Sequence, residues 1–182
     1  GGEDAAGGAR RLPAVPDTLR AVTGALAAGD AIRTGADGAA TVRFANGVIF
    51  RAGASTRAGV VETAVPAEPG APRITRRAVR LGAGRVQFDC PASETVLTDI
   101  VAPSGRVSLL GVQGVAVLAD GRFRVAVDSG RATVTDAAGA LTAPLGIGQS
   151  IDLQADGSAL VVRVPTDGGR PIRAQVRAIR VE

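Results

Sequence analysis

Residues 24–50 read GALAAGDAIRTGADGAATVRFANGVIF, and the second half of this stretch decides the fold. Val42 and Phe44 alternate with Thr41, Arg43 and Ala45, the chain reaches Asn46-Gly47, and the pattern resumes with Val48 and Phe50. A period of two puts apolar side chains on one face of a strand. Asn-Gly between two such runs predicts a hairpin, because both residues tolerate the positive φ of a type I′ turn. The rest of the chain reads as more β-structure wrapped around that hairpin.

Downstream, Arg57 to Val65 predicts a strand running into AVPAEPGAPR. Pro66, Pro69 and Pro72 cannot donate to a central ladder, so residues 64–73 read as a surface loop. Val79-Arg80-Leu81 leads through Gly82 and Gly84 to Arg85-Val86-Gln87-Phe88, and Val96 to Val101 predicts another short strand. From Val107 to Val164, turn pairs fall at Asp120-Gly121, Ser129-Gly130, Ala138-Gly139, Ile147-Gly148 and Asp156-Gly157. Between them Phe123, Val125 and Val127 alternate with Arg122, Arg124 and Ala126, and Ile151, Leu153, Leu160, Val162 and Val164 continue the pattern. Short strands at a spacing of about nine residues imply a sandwich, barrel or β-solenoid, although no fixed-period repeat is present. Ile172, Val176 and Ile179 fit a helical face, whereas Ile172, Ala174 and Val176 fit a strand.

Composition narrows the chemistry. Apolar residues make up 46% of the 182, yet only Phe44, Phe50, Phe88 and Phe123 are aromatic, so the core is built from Val, Leu, Ile and Ala. Lys, His, Met, Trp and Tyr are absent, and all 21 basic residues are arginine. Without His there is no Ser-His-Asp or Cys-His arrangement, and without Lys no Schiff base or phosphate-loop lysine. Cys90 alone makes neither a disulfide nor a zinc site, and between Phe88 and Pro91 it reads as a buried, inert thiol. The carboxylate pairs Asp89 with Glu94 and Asp128 with Asp136 read as turn formers rather than acid–base pairs. No catalytic residue, cofactor or metal site is expected.

The net charge is +4, and the pI near 11 overstates it, because the chain has no Lys, Tyr or His side chain to titrate between the carboxylates and arginine. Arg73, Arg76, Arg77 and Arg80 form one dense patch, a candidate polyanion contact; Arg170, Arg173, Arg177 and Arg180 form another. No aromatics interleave with these arginines, so nucleic acid is not an expected partner. No apolar run approaches the roughly 20 residues that span a bilayer as a helix. With no Met at residue 1, the start reads as a processed end or an excision point.

Gly29-Asp30, Ile32-Arg33-Thr34-Gly35, Asp37-Gly38 and Phe44 to Phe50 together resemble the opening "GD.I.TG..G.A...F..G" of the FecR domain, an extracytoplasmic β-rich family. The resemblance extends over residues 23–154, through Leu81 to Phe88, RFRVAVDSGRATV at 122–134 and LGIGQSIDL at 145–153. Where the family carries "V.GT.F.V", this chain has Gly111-Val112-Gln113-Gly114-Val115, without the Thr and the aromatic. The resemblance implies an all-β FecR-like β-sandwich or β-solenoid of short antiparallel strands, and it favours a strand at the C-terminal end. FecR-type sensors relay a signal from an outer-membrane receptor of a Gram-negative bacterium to a sigma-factor partner. Freestanding secreted members also occur, and the chain is expected to be extracytoplasmic: secreted, on the cell surface or periplasmic.

The expected organisation is an extended N-terminal arm (1–22), a FecR-like β domain (23–165) and a C-terminal strand (166–182). Glycine and proline in residues 1–20 mark the arm as costly to order. An arm of this kind can add a strand to a neighbour's sheet edge and polymerise head to tail. The primary expectation is therefore a non-enzymatic structural protein that self-associates as a homo-oligomer or filament, with Leu12, Val15 and Leu19 as apolar anchors and a possible envelope or surface partner. The alternative is a FecR-like periplasmic signalling or ligand-binding module.

Overall fold

The computed structural model describes residues 28–65, 72–140, 142–156 and 158–163, with short stretches at 166–167, 170–171 and 175–179; its side chains are described up to Ala159. The expected arm, with Leu12, Val15 and Leu19, lies outside the described residues. Among the described residues there is no helix, and the fold is all-β. In chain order the strands are β1 (Ala31–Arg33), β2 (Ala40–Arg43), β3 (Ile49–Ala52), β4 (Arg57–Val65), β5 (Ile74–Cys90), β6 (Val96–Ala102) and β7 (Gly105–Ala119). They continue with β8 (Arg122–Asp136), β9 (Thr142–Leu145), β10 (Gln149–Leu153), β11 (Ala159–Arg163), β12 (Thr166–Asp167), β13 (Arg170–Pro171) and β14 (Gln175–Ile179).

All but the small β12–β13 ribbon join one hydrogen-bonded sheet, and that sheet is doubled over on itself. A strand of 15 residues such as β7, at about 3.3 Å per residue, is roughly 50 Å long when straight. Yet Ser104, just before β7, donates its Oγ–H to the carbonyl of Gly121, just after it, at 3.3 Å. The β7–β8 ribbon must therefore fold back between these ends. The pairing shows where. The first half of β5 bonds β4 and β6, and its second half bonds β3 and β7; β7 in turn moves from β6 to β5. Strand β8 carries β10 on its first half and β9 on its second.

Two layers result. The first holds β1, β4, β6 and β9 with the outer reaches of β5, β7 and β8. The second holds β2, β3, β10, β11 and β14 with the remaining halves of the same three long strands. Inward side chains from both layers make a single core containing Phe50, Leu81, Val86, Phe88, Ile100, Phe123, Val125 and Ile151. Each fully buried side chain of this size contributes about 1.5–3 kcal/mol relative to an exposed one.

The corners fall on glycines at positive φ, and at Gly84 and Gly130 a Cβ would also collide with backbone. They are Gly84 (φ +93°) in β5, Gly111 (+59°) in β7 and Gly130 (+76°) in β8. A Cβ on Gly130 would run into the Gly111 carbonyl, so the two corner glycines nest. Ser129-Gly130 is thus a bend in a continuing strand, not the chain reversal expected from its sequence. For the same reason the expected short strands become three long ones, of 17, 15 and 15 residues. The sheet is also not wholly antiparallel, because β5 and β6 run parallel.

The hairpin at residues 40–52 forms as expected, with Val42 opposite Phe50, but its turn differs. Phe44 accepts from Gly47 N–H (3.0 Å) and donates to Val48 (2.9 Å), closing a three-residue loop. Only Gly47 in that loop has positive φ (+83°), as in a type I turn followed by a glycine bulge, rather than type I′. The predicted strands at 57–65 and 96–101 appear as β4 and β6, and the region after Pro165 contains β14, paired with β11.

Candidate functional site

The largest side chains of the described core pack closely. The void among Ile32, Val42, Phe50, Val60, Val79 and Val86 measures about 10 Å³, room for a single water at most.

Of the four arginines singled out by their closeness in sequence, only some share a surface. Arg73 is exposed just before β5, and strand alternation sends Arg76 and Arg80 outward but Arg77 inward. Arg77 donates from Nε to Glu62 Oε1 (2.7 Å) and from a terminal nitrogen to Asn46 Oδ1 (2.9 Å). Its guanidinium lies 3.9 Å from the centre of the Phe44 ring, which meets Phe50 edge-on at 5.8 Å. These contacts tie the tip of the β2–β3 hairpin, in the second layer, to β4 and β5 in the first. Arg77 is a latch between layers, and it is occupied. Arg76 pairs with buried Asp99 at 3.4 Å.

A different set of arginines lines up instead. On the first layer, outward positions are Arg33 (β1), Arg57 (β4), Arg76 and Arg80 (β5), Arg106 (β7) and Arg131 (β8), all exposed. Among the described residues at outward strand positions of that layer the only acid is Asp99, already held by Arg76, while Asp30 is exposed just before β1. Six arginines against one acid leave an excess of five positive charges at these outward positions, more than the +4 of the whole chain. Arg33, Arg57, Arg80, Arg106 and Arg131 have no carboxylate within salt-bridge distance among the described residues.

Within this face lies an open depression of about 400 Å³. Its floor is built by absence of side chain: Ala31, Gly59 and Gly82, with Val101 and Pro103 at the side. Arg57 and Arg80 stand on its rim. Arg106 is one strand further, opposite Val101. The site is therefore an apolar recess bordered by fixed positive charge. Sequence reasoning missed it because its members are more than twenty residues apart in the chain, from Arg33 to Arg57 to Arg80 to Arg106. The available signal was arginine recurring at the polar phase of successive alternating strands.

The second layer's outer face is more balanced. Arg43, Arg51, Arg85, Arg122 and Arg124 share it with Asp89, Asp128 and Asp152. Arg122 and Arg124 both donate to Asp152 Oδ2 at 2.8 Å. Cys90 is buried, and burial pushes its thiol above the ordinary value, with the negative charge of Asp89 acting in the same direction. Among the described residues no three carboxylate or thiol groups gather as metal ligands would.

No family model and no curated protein matches the chain. Two crystal structures, at 1.65 and 2.50 Å resolution, of a "putative anti-sigma factor" from Parabacteroides distasonis ATCC 8503 are similar to it, with TM-scores of 0.55 and 0.54. In both, identity is 18% and the match covers 72% of this chain and 58% of that one. The chain thus corresponds to a little over half the length of that protein, and the likeness is one of fold.

Proposed function

We propose that this chain is a non-enzymatic, FecR-like recognition module of an anti-sigma-type regulator, working outside the cytoplasm. The observation that carries the reading is the likeness of its doubled sheet to the Parabacteroides structures over 72% of its length. The FecR-like motif at residues 29–50, which forms β1 and the β2–β3 hairpin, supports the same assignment. A closely packed core among the described residues and a chain without His or Lys favour surface recognition over catalysis. The self-assembling reading depends on Leu12, Val15 and Leu19, which lie outside the described residues, and no comparison favours it.

The test is transcriptional. Replacing residues 28–163 by a neutral linker in the chromosomal gene should shift a discrete set of transcripts controlled by one alternative sigma factor. A transcript profile unchanged by that replacement, with the shortened protein still produced, contradicts the reading.

A further inference from the structure

We infer that the arginine face of the first layer docks an acidic segment of a partner protein, with an aliphatic side chain of that segment seated in the recess between Arg57 and Arg80. This deepens the regulatory reading, and rests on it only in taking the partner to be a protein.

Charge complementarity selects the sign of the ligand. The face holds Arg33, Arg57, Arg80, Arg106 and Arg131 without a carboxylate in reach among the described residues, and a chain of net charge +4 concentrates them on one side. Arginine presents a planar fork that matches a carboxylate with two parallel hydrogen bonds. The recess selects what lies between the charges. Its floor of Ala31, Gly59 and Gly82 offers apolar contact but no buried polar group, and it is too open to enclose a small molecule.

The aromatic residues argue against single-stranded nucleic acid. Phe50, Phe88 and Phe123 are buried, and Phe44 lies beneath Arg77, so none reaches this face. Single-stranded nucleic acids are held largely by stacking on such rings, and none is offered here.

The probe is a fluorescein-labelled decapeptide alternating Glu with Leu and Val, followed by anisotropy and compared with a charge-matched decapeptide of Glu and Ser. Arg57→Gln with Arg80→Gln should weaken the Glu/Leu/Val peptide by about tenfold or more, whereas Arg51→Gln with Arg85→Gln on the opposite face should change it by less than about twofold. Gly59→Val separates shape from charge. Gly59 is not at positive φ, and its Cβ would meet nothing closer than the Asp30 carbonyl at 3.7 Å. This variant should keep the melting temperature yet bind both peptides equally weakly. Equal losses in the two double variants, equal affinity of wild type for the two peptides, or tighter binding of an oligonucleotide of equal charge overturns the inference. Any of these leaves the regulatory reading standing, since that reading is scored on transcripts. Conversely, unmoved transcripts would leave a positive peptide result intact.

Discussion

At the scale of single residues, Cys90 has a consequence that composition makes unusually clean. The chain has no His, Lys or Tyr, so Cys90 is its one side chain that titrates between the carboxylates and arginine. Burial raises its folded pKa above 9.0. As pH rises through that ordinary value, the unfolded thiol ionises first while the folded one keeps its proton. The unfolded state then binds fewer protons, so stability is full below about pH 9 and falls above it, by at most about 1.4 kcal/mol per pH unit. Urea unfolding from pH 7 to 10.5 should show this decline in the wild type, and Cys90→Ala should be flat over the same range from a lower starting stability. An identical alkaline decline in Cys90→Ala would place its cause elsewhere. Thr34 acts at the same scale without titrating. Its hydroxyl donates to the Gly53 carbonyl at 2.6 Å and accepts from Thr56 N–H at 2.8 Å, while Thr56 Oγ1 accepts from Arg85 N–H at 3.0 Å. Two buried threonines thus satisfy backbone groups that the β5 corner leaves without ladder partners.

At the scale of elements, the doubled sheet turns on glycine corners. Gly130→Ala combines a left-handed φ with a collision against the Gly111 backbone, whereas Gly139→Ala, at φ +74° in an open turn, has nothing within 4 Å of its Cβ. Gly139→Ala should cost about 1–2 kcal/mol and Gly130→Ala distinctly more, about 3 kcal/mol or above, read from chemical denaturation. Equal costs would mean that β7 and β8 do not nest at these glycines. The same corners explain what the chain made legible. Alternation along 40–50 and 122–127 revealed strands and their inward faces, because one-sided burial imposes period two. It did not reveal that Ser129-Gly130 bends a strand while Ala138-Gly139 ends one. Both pairs supply positive φ, and only the partner at Gly111 distinguishes them. The parallel β5–β6 pairing was illegible for a related reason: residues 91–95 could lead into either direction, and register with β7 decides. Arg77 shows the limit for the site. In RRAVR the phase is legible, because Val79 and Leu81 enter the core and carry Arg77 to the same side; what no neighbouring residue shows is that Glu62, Asn46 and Phe44 meet it there.

At the scale of the whole molecule, doubling the sheet gives two outer faces of different character from one set of strands. The layers are tied at one end by Arg77 to Glu62, Asn46 and Phe44, and at the other by Ser104 to Gly121. Their outward positions then sort the arginines: those of the second layer share their face with three acids, two of these arginines being bonded to Asp152, while most of the first layer's have no carboxylate within salt-bridge distance among the described residues. The central claim is that the first face carries the regulatory contact. The most direct measurement places Arg57→Gln with Arg80→Gln, and separately Arg51→Gln with Arg85→Gln, in the chromosomal gene and reads the transcripts that move when residues 28–163 are replaced. The first pair should reproduce the shift of the replacement at normal protein level, and the second should leave the transcripts at wild-type values. Silence from the first pair, or an equal response to both, would contradict that claim.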